Sequence, residues 1–174
     1  IGTLVETSDI QRQSFNHAFK QIGIDWYWDK NKYKKLLKKS GGINRVEYYA
    51  NINQNTVDSK KIRELKTQYF NRYLNSNIIN PRDGVLEVIK YAKFKNIKIG
   101  LASTTTIENI DAIFTTLKDK KVKKDFNFIG NNKLIKKVKP YPDIYFEALK
   151  KLNIKENECM AIEDSVESAL SANK

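Results

Sequence analysis

The 174 residues suffice for one ordinary domain, or for a modest core carrying a small insertion, and either can bury a sizeable hydrophobic core without a covalent staple. No apolar stretch approaches the roughly 20 residues that a membrane-crossing helix requires, which argues against a membrane partner. The formal charge of +12 is carried almost wholly by Lys, only five of the 32 cations being Arg, and the densest runs, 30–39 and 118–124, lack interleaved stacking aromatics; this argues for a solvated Lys-rich surface and against a sequence-specific nucleic-acid reader.

From Ser8 to about Asn77 the apolar residues recur at helical spacing, as in Ile10, Phe15, Ala18, Phe19 and Ile22, and again in Ile62, Leu65, Tyr69 and Tyr73. The pattern predicts a module of about four helices. Gly41-Gly42 breaks it in the middle, and Ile78-Ile79-Asn80-Pro81 closes it with an extended linker, because the residue before a proline is pushed away from helix.

After Pro81 strands alternate with helices: helix over 83–95, strand over 97–102, helix over 107–118, strand over 126–129, helix over 142–152 and strand over 159–162. Such alternation specifies an α/β fold, a three-layer Rossmann-like core with a parallel sheet, into which the helical module is inserted. The predicted division is 1–8 and 80–174 for the core and 9–79 for an alpha-helical cap. Cys159-Met160-Ala161-Ile162 is a short continuous apolar run, as expected of a strand buried on both faces. The single Cys159 cannot form an internal disulfide and reads there as a reduced, buried thiol, which suits a cytoplasmic compartment. Position 1 is Ile and position 174 is a Lys inside a predicted helix, so both ends are expected to be truncated.

Ligands of parallel sheets bind at the carboxyl ends of the strands, and three segments there carry phosphate chemistry. Strand 97–102 runs into Ser103-Thr104-Thr105-Thr106, hydroxyls ahead of a helix whose free N–H groups and dipole favour an anion. Ordinary helix capping is the competing reading. Lys139-Pro140-Tyr141-Pro142-Asp143 holds one Lys between stiffened backbone segments at a helix start. Glu163-Asp164-Ser165 brings two carboxylates out of an apolar run, either to cap a helix or to hold a hard cation such as Mg²⁺.

In this order Ser103, Lys139-Pro140 and Glu163-Asp164 resemble the second, third and fourth motifs of the haloacid dehalogenase superfamily, and Gly2-Thr3-Leu4 resembles the tail of its first, Asp-x-Asp-Gly-Thr. Gly2-Thr3-Leu4-Val5-Glu6-Thr7, Arg12-Gln13-Ser14-Phe15-Asn16, Asp25-Trp26-Tyr27-Trp28-Asp29, Gly41-Gly42, Glu108-Asn109 and Lys139-Pro140-Tyr141-Pro142-Asp143-Ile144-Tyr145 are similar to the CbbY-like branch, related to beta-phosphoglucomutase. The resemblance implies a Mg²⁺-dependent phosphatase acting on a small sugar phosphate or bisphosphate, such as xylulose 1,5-bisphosphate, through an aspartyl-phosphate. It implies that Ser103 and the amide of Thr104 hold the transferring phosphoryl oxygens, that Lys139 balances their charge, and that Asp164 with Glu163 positions the metal. In the cap, Gly42 and Arg45 match a loop that can grip the phosphate not being transferred, and Lys66 matches a Lys facing the active site. A solvated helix position is the other reading of Arg45 and Lys66. Glu6 falls where the branch places a substrate-contacting carboxylate. Gln11 stands where relatives often have His, and His17 reads as structural.

In that motif Gly2-Thr3 should follow an Asp, yet position 1 is Ile and the nucleophile's position lies ahead of it, so neither catalytic aspartate is present, and Asp9, on the first helix of the module, cannot replace them. A polypeptide of these residues alone is therefore expected to be inactive. A phosphosugar mutase and a non-catalytic phosphate-binding relative are the alternatives. The expected protein is a cytoplasmic or plastid-stromal monomer. With a Lys-dominated surface and no aromatic platform, binding to DNA or RNA should be feeble at about 0.15 M salt, where non-specific contacts weaken; submicromolar, sequence-selective binding in a titration at that salt would contradict the charge reading.

Overall fold

The computed structural model describes residues 1–39 and 41–174. The chain forms two compact units, one of Thr7–Ser76 and one of Ile1–Glu6 with Asn77–Lys174.

The first unit contains α1 (Ser8–Gln21), α2 (Lys30–Leu36), α3 (Gly42–Ile52) and α4 (Ser59–Asn75). Its core is aromatic: Phe15, Ala18 and Phe19 from α1 close on Trp28, Tyr33, Leu36, Val46, Ile62 and Leu65. Trp28 is fully buried, 4.9 Å from the Phe15 ring and 4.8 Å edge-on from that of Phe19, in the offset and T-shaped arrangements that aromatic quadrupoles prefer. Its backbone lies outside any helix, so its polar groups need partners. Asn16 supplies two: its Nδ2 donates to the Trp28 carbonyl at 2.9 Å, and its Oδ1 accepts from the Trp28 N–H at 2.8 Å. Arg12 Nη1 donates to the same carbonyl. Asp29 and Asp58 cap α2 and α4 by accepting from the N–H groups of Lys32 and Lys61. The predicted break at Gly41-Gly42 is real: Gly41 has φ of +80°, which only glycine adopts freely, and α3 begins at the next residue.

The second unit contains α5 (Val85–Phe94), β1 (Gly100–Leu101), α6 (Ile107–Thr116), β2 (Phe128–Ile129), α7 (Asp143–Leu152) and α8 (Val166–Ala172). β1 and β2 are parallel, with Gly100 opposite Phe128 and Leu101 opposite Ile129, and an isolated parallel bridge joins Ile79 to Leu117. Phe128, Ile144 and Leu152 form the core between sheet and α7. A Cβ on Gly130 would stand 2.6 Å from Ile144 Cδ1, so glycine there lets α7 approach the end of β2.

The described sheet has two strands, shorter than 97–102 and 126–129 predict, and 159–162 forms no strand. The reason is pairing. A strand buried on both faces needs hydrogen-bonded neighbours, and among the described residues none pairs with this segment. Its apolar side chains are consequently open: Met160 is 82% exposed, and Cys159, expected as a buried thiol, is exposed with its Sγ 3.3 Å from the Glu156 carbonyl. Among the described residues no helix is long and apolar enough to cross a membrane.

Both tryptophans lie in the helical unit, so their fluorescence reports that unit alone. Asn16→Ala strips the Trp28 N–H of its partner and should destabilise the unit by about 1–3 kcal/mol. Denaturant unfolding followed by Trp emission checks this, and a change below about 0.5 kcal/mol would mean that water reaches the Trp28 backbone.

Candidate functional site

Ser103 follows β1 at its carboxyl end and is buried, its Oγ accepting from the N–H of Thr105 at 3.3 Å. The cap of α6 is Thr106, whose Oγ1 accepts from the Asn109 N–H. Capping therefore accounts for Thr106 and leaves the Ser103 hydroxyl unexplained by it. Thr105 Oγ1 accepts from Asn109 Nδ2 at 3.0 Å, stiffening the turn, and Thr104 is half-buried within it.

Lys139 ends the loop before α7, and Glu163 ends the irregular segment before α8. Both side chains are 11% exposed, and Lys139 Nζ donates to Glu163 Oε1 at 3.0 Å. Tyr145, on the first turn of α7, places its hydroxyl 2.6 Å from the same oxygen and 3.1 Å from the Ser168 carbonyl. Lys139 Nζ stands 4.8 Å above the Tyr145 ring. Burial, followed by the hydrogen bond to Glu163, pushes the Tyr145 phenol well above its ordinary range, so it remains protonated and donates.

Asp164 turns the other way. Its carboxylate is exposed, accepts no hydrogen bond from the described residues, and presses on the backbone of Gly2, where a Cβ would meet Oδ2 at 1.8 Å. A side chain at position 2 would therefore displace the Asp164 carboxylate. The Ile1 nitrogen is buried among the charges of Asp164, Lys139 and Glu163. The structure thus brings the beginning of the chain, the Lys139 loop and the Glu163-Asp164 pair to one place. Ser103 makes no hydrogen bond to them.

The free oxygens of Asp164 and Oε2 of Glu163 suit Mg²⁺, a hard cation that takes one or two carboxylates and keeps several waters. They are an incomplete set on their own: among the described residues no group of three or more His, Cys, Asp or Glu side chains could hold an ion. Glu6 is committed elsewhere. It pairs with Arg82 Nη2, while Arg82 Nε donates to the Gly2 carbonyl at 2.5 Å.

In the helical unit the solvated reading of Arg45 and Lys66 is overturned. Arg45 is 7% exposed; its Nε donates to the Leu36 carbonyl, Nη2 to the Lys39 carbonyl and Nη1 to the Tyr33 hydroxyl, with the guanidinium over the Tyr33 ring. Lys66 is mostly buried, donates to Gln11 Oε1 at 3.2 Å and lies 4.6 Å above the Phe70 ring. Gln11 in turn donates to Thr7 Oγ1 at 3.1 Å. Burial first, then the charges of Arg45 and Arg63, lower the Lys66 pKa to about 8. Neither cation has a carboxylate partner among the described residues. Gly42 opens α3 beside them, with Phe15 Cζ 3.4 Å from where its Cβ would be. His17 stacks on Tyr69.

Sequence reasoning assigns Tyr145 no role, although it stands in the Lys139–Tyr145 string. Its helix position alone reads as packing, and its acceptor lies 18 residues further on. The Gln11 contact with Lys66 is equally hidden, since the two are 55 residues apart.

Residues 2–174 match the haloacid dehalogenase-like hydrolase family. The CbbY protein of Rhodobacter capsulatus is 35% identical over 167 residues, covering 94% of this chain and 74% of that protein. A CbbY structure from Rhodobacter sphaeroides, in complex with xylulose-1,5-bisphosphate, superposes with a TM-score of 0.87 at 29% identity over 99% of this chain and 78% of the other. A beta-phosphoglucomutase from Clostridium difficile, at 22% identity and a TM-score of 0.77 over 99% of this chain and 76% of its own, shares the fold. These matches, which span nearly the whole chain, show that it belongs to the haloacid dehalogenase-like hydrolases and, within them, to the CbbY family.

Proposed function

We propose that the protein is a Mg²⁺-dependent phosphatase of a small sugar bisphosphate, with xylulose 1,5-bisphosphate as the first candidate, acting through an aspartyl-phosphate formed on an aspartate ahead of Gly2-Thr3. The observation that carries this reading is the half-buried Lys139 ammonium, held by Glu163 beside Asp164 and the Gly2 backbone. Lys139 would neutralise the phosphoryl oxygens, and Ser103 with the Thr104 amide would hold them at the end of β1. Asp164, with Oε2 of Glu163, would hold Mg²⁺. Bound there, the ion supplies charge stabilisation to the transferring phosphoryl group.

Xylulose-1,5-bisphosphate bound to the Rhodobacter sphaeroides relative supports a substrate with two phosphates. The helical unit offers a matching reason. Lys66 and Arg45 are buried cations without a carboxylate, an arrangement that costs stability until an anion arrives. Lys66 is the freer of the two, because Arg45 already spends three N–H donors on α2 and the loop after it. We therefore assign recognition of the second phosphate to Lys66, with the N–H groups at Gly42 and the remaining donors of Arg45 assisting. Glu6 pairs with Arg82 and, its carboxylate being half-exposed, is also assigned a substrate contact.

A polypeptide of these 174 residues should bind xylulose 1,5-bisphosphate without releasing phosphate, whereas a chain extended by Asp-x ahead of position 1 and carrying Ile1→Asp, which restores Asp-x-Asp-Gly-Thr, should turn it over. Lys139→Ala and Asp164→Ala in the extended chain should each lower kcat/KM at least a hundredfold. Mg²⁺-dependent phosphate release by the 174-residue chain, freed of contaminants, would refute the placement of the nucleophile.

The Lys66 pKa of about 8 sets the pH dependence. The anion binds the protonated amine, so affinity should be level near pH 7 and fall as the pH rises through 8. Above pH 7 a phosphate monoester is already largely dianionic and contributes little change of its own. Losing one charge-assisted hydrogen bond is worth about 1.5–3 kcal/mol, and because a group with a pKa of about 8 is still roughly one-thirtieth protonated at pH 9.5, the affinity should fall roughly tenfold to thirtyfold by then. Calorimetry of the bisphosphate from pH 7 to 9.5 measures this, with Lys66→Met expected to be weak and flat throughout. A flat profile in the unmodified chain would remove Lys66 from the phosphate site.

A further inference from the structure

Three groups from three parts of the core unit meet on one oxygen. Glu163 Oε1 lies 3.0 Å from Lys139 Nζ and 2.6 Å from the Tyr145 hydroxyl, and the Lys139 ammonium is 4.8 Å above the Tyr145 ring. A phenol has a single proton to donate. Its two acceptors are the Glu163 carboxylate at 2.6 Å and the Ser168 carbonyl at 3.1 Å, and the shorter bond to the charged oxygen is the stronger. Tyr145 therefore fixes the carboxylate that fixes the lysine, and its ring fills the space beneath the ammonium.

We infer that Tyr145 is a positioning residue for phosphate binding: its hydroxyl holds Glu163 Oε1 in the one place from which Glu163 can hold Lys139 toward a phosphoryl group. Without the hydroxyl, Glu163 retains Lys139 as its only partner for Oε1, and the pair is free to swing together. An ammonium that moves by even one ångström no longer meets a phosphate oxygen at hydrogen-bond distance. Asp164 accepts nothing from this network, so an ion held by Asp164 and Oε2 of Glu163 should feel the loss of the hydroxyl less than phosphate does, and only through Glu163.

The inference rests on the reading of Lys139 as a phosphate ligand, and the test separates the two. Binding of inorganic phosphate in the presence of Mg²⁺ to the 174-residue chain is measured by calorimetry, and binding of Mn²⁺ alone by its paramagnetic resonance signal. Tyr145→Phe keeps the ring and its packing, which circular dichroism and thermal unfolding verify. It should weaken phosphate three- to tenfold and change Mn²⁺ affinity by a smaller factor. Glu163→Gln should weaken phosphate at least as much, and adding Tyr145→Phe to it should cost less than a further twofold, because the hydroxyl acts only through the carboxylate. Unchanged phosphate affinity in Tyr145→Phe, additive losses in the double variant, or equal losses of phosphate and Mn²⁺ would each overturn the inference. If Lys139→Ala itself leaves phosphate binding intact, the fault lies with the assignment of Lys139 and hence with the proposed function.

Discussion

The ion pair between Lys139 and Glu163 is the constraint on which the core site depends. Each side chain is 11% exposed, and the two come from segments 24 residues apart. An ammonium left alone at that depth would lose much of its hydration, and removing one partner of a buried pair costs about 3–5 kcal/mol. The pair therefore ties the loop before α7 to the segment before α8. That tie also sets the direction of the neighbouring side chain. With Glu163 turned toward Lys139, the next residue, Asp164, is turned toward Gly2, where a side chain would displace its carboxylate. Two adjacent carboxylates thus take different work: one holds a cation in place, and the other remains open to an ion.

The helical unit treats its cations in the opposite way. Lys66 has a neutral amide as hydrogen-bond partner and aromatic rings as neighbours, with Arg45 and Arg63 adding repulsion. Its proton is correspondingly loose. Lys139 is compensated from within the protein and Lys66 is not, so a ligand anion gains more from meeting Lys66 than its distance alone would suggest.

The helices were legible because α1 and α4 bury one stripe of apolar residues, and the breaks at Gly41 and before Pro81 have local causes. The motif residues were legible because they occur in a fixed order along successive units. Three things were not. The run at 159–162 has the composition of a buried strand, but composition does not reveal whether a neighbour pairs with it, and here its side chains face solvent. The surroundings of Arg45 were hidden: the sequence marks it as a candidate phosphate ligand but does not show that its guanidinium is buried and bonded to the end of α2. Tyr145 was hidden by distance, since a phenol on a helix reads as packing until its acceptor is seen. Each failure concerns a long-range partner, which local pattern cannot supply.

Arg82 shows how such partners change the meaning of a residue. Its N–H donates to the Leu4 carbonyl, Nε to the Gly2 carbonyl and Nη2 to Glu6, so one side chain and its own backbone hold the segment from Gly2 to Glu6 at three points. An exposed ion pair of this kind contributes at most about 1 kcal/mol to stability. Its value is positional, because a segment that must present Gly2 to Asp164 tolerates little movement. Glu6 then holds Arg82, and through it the backbone of Gly2 that faces Asp164.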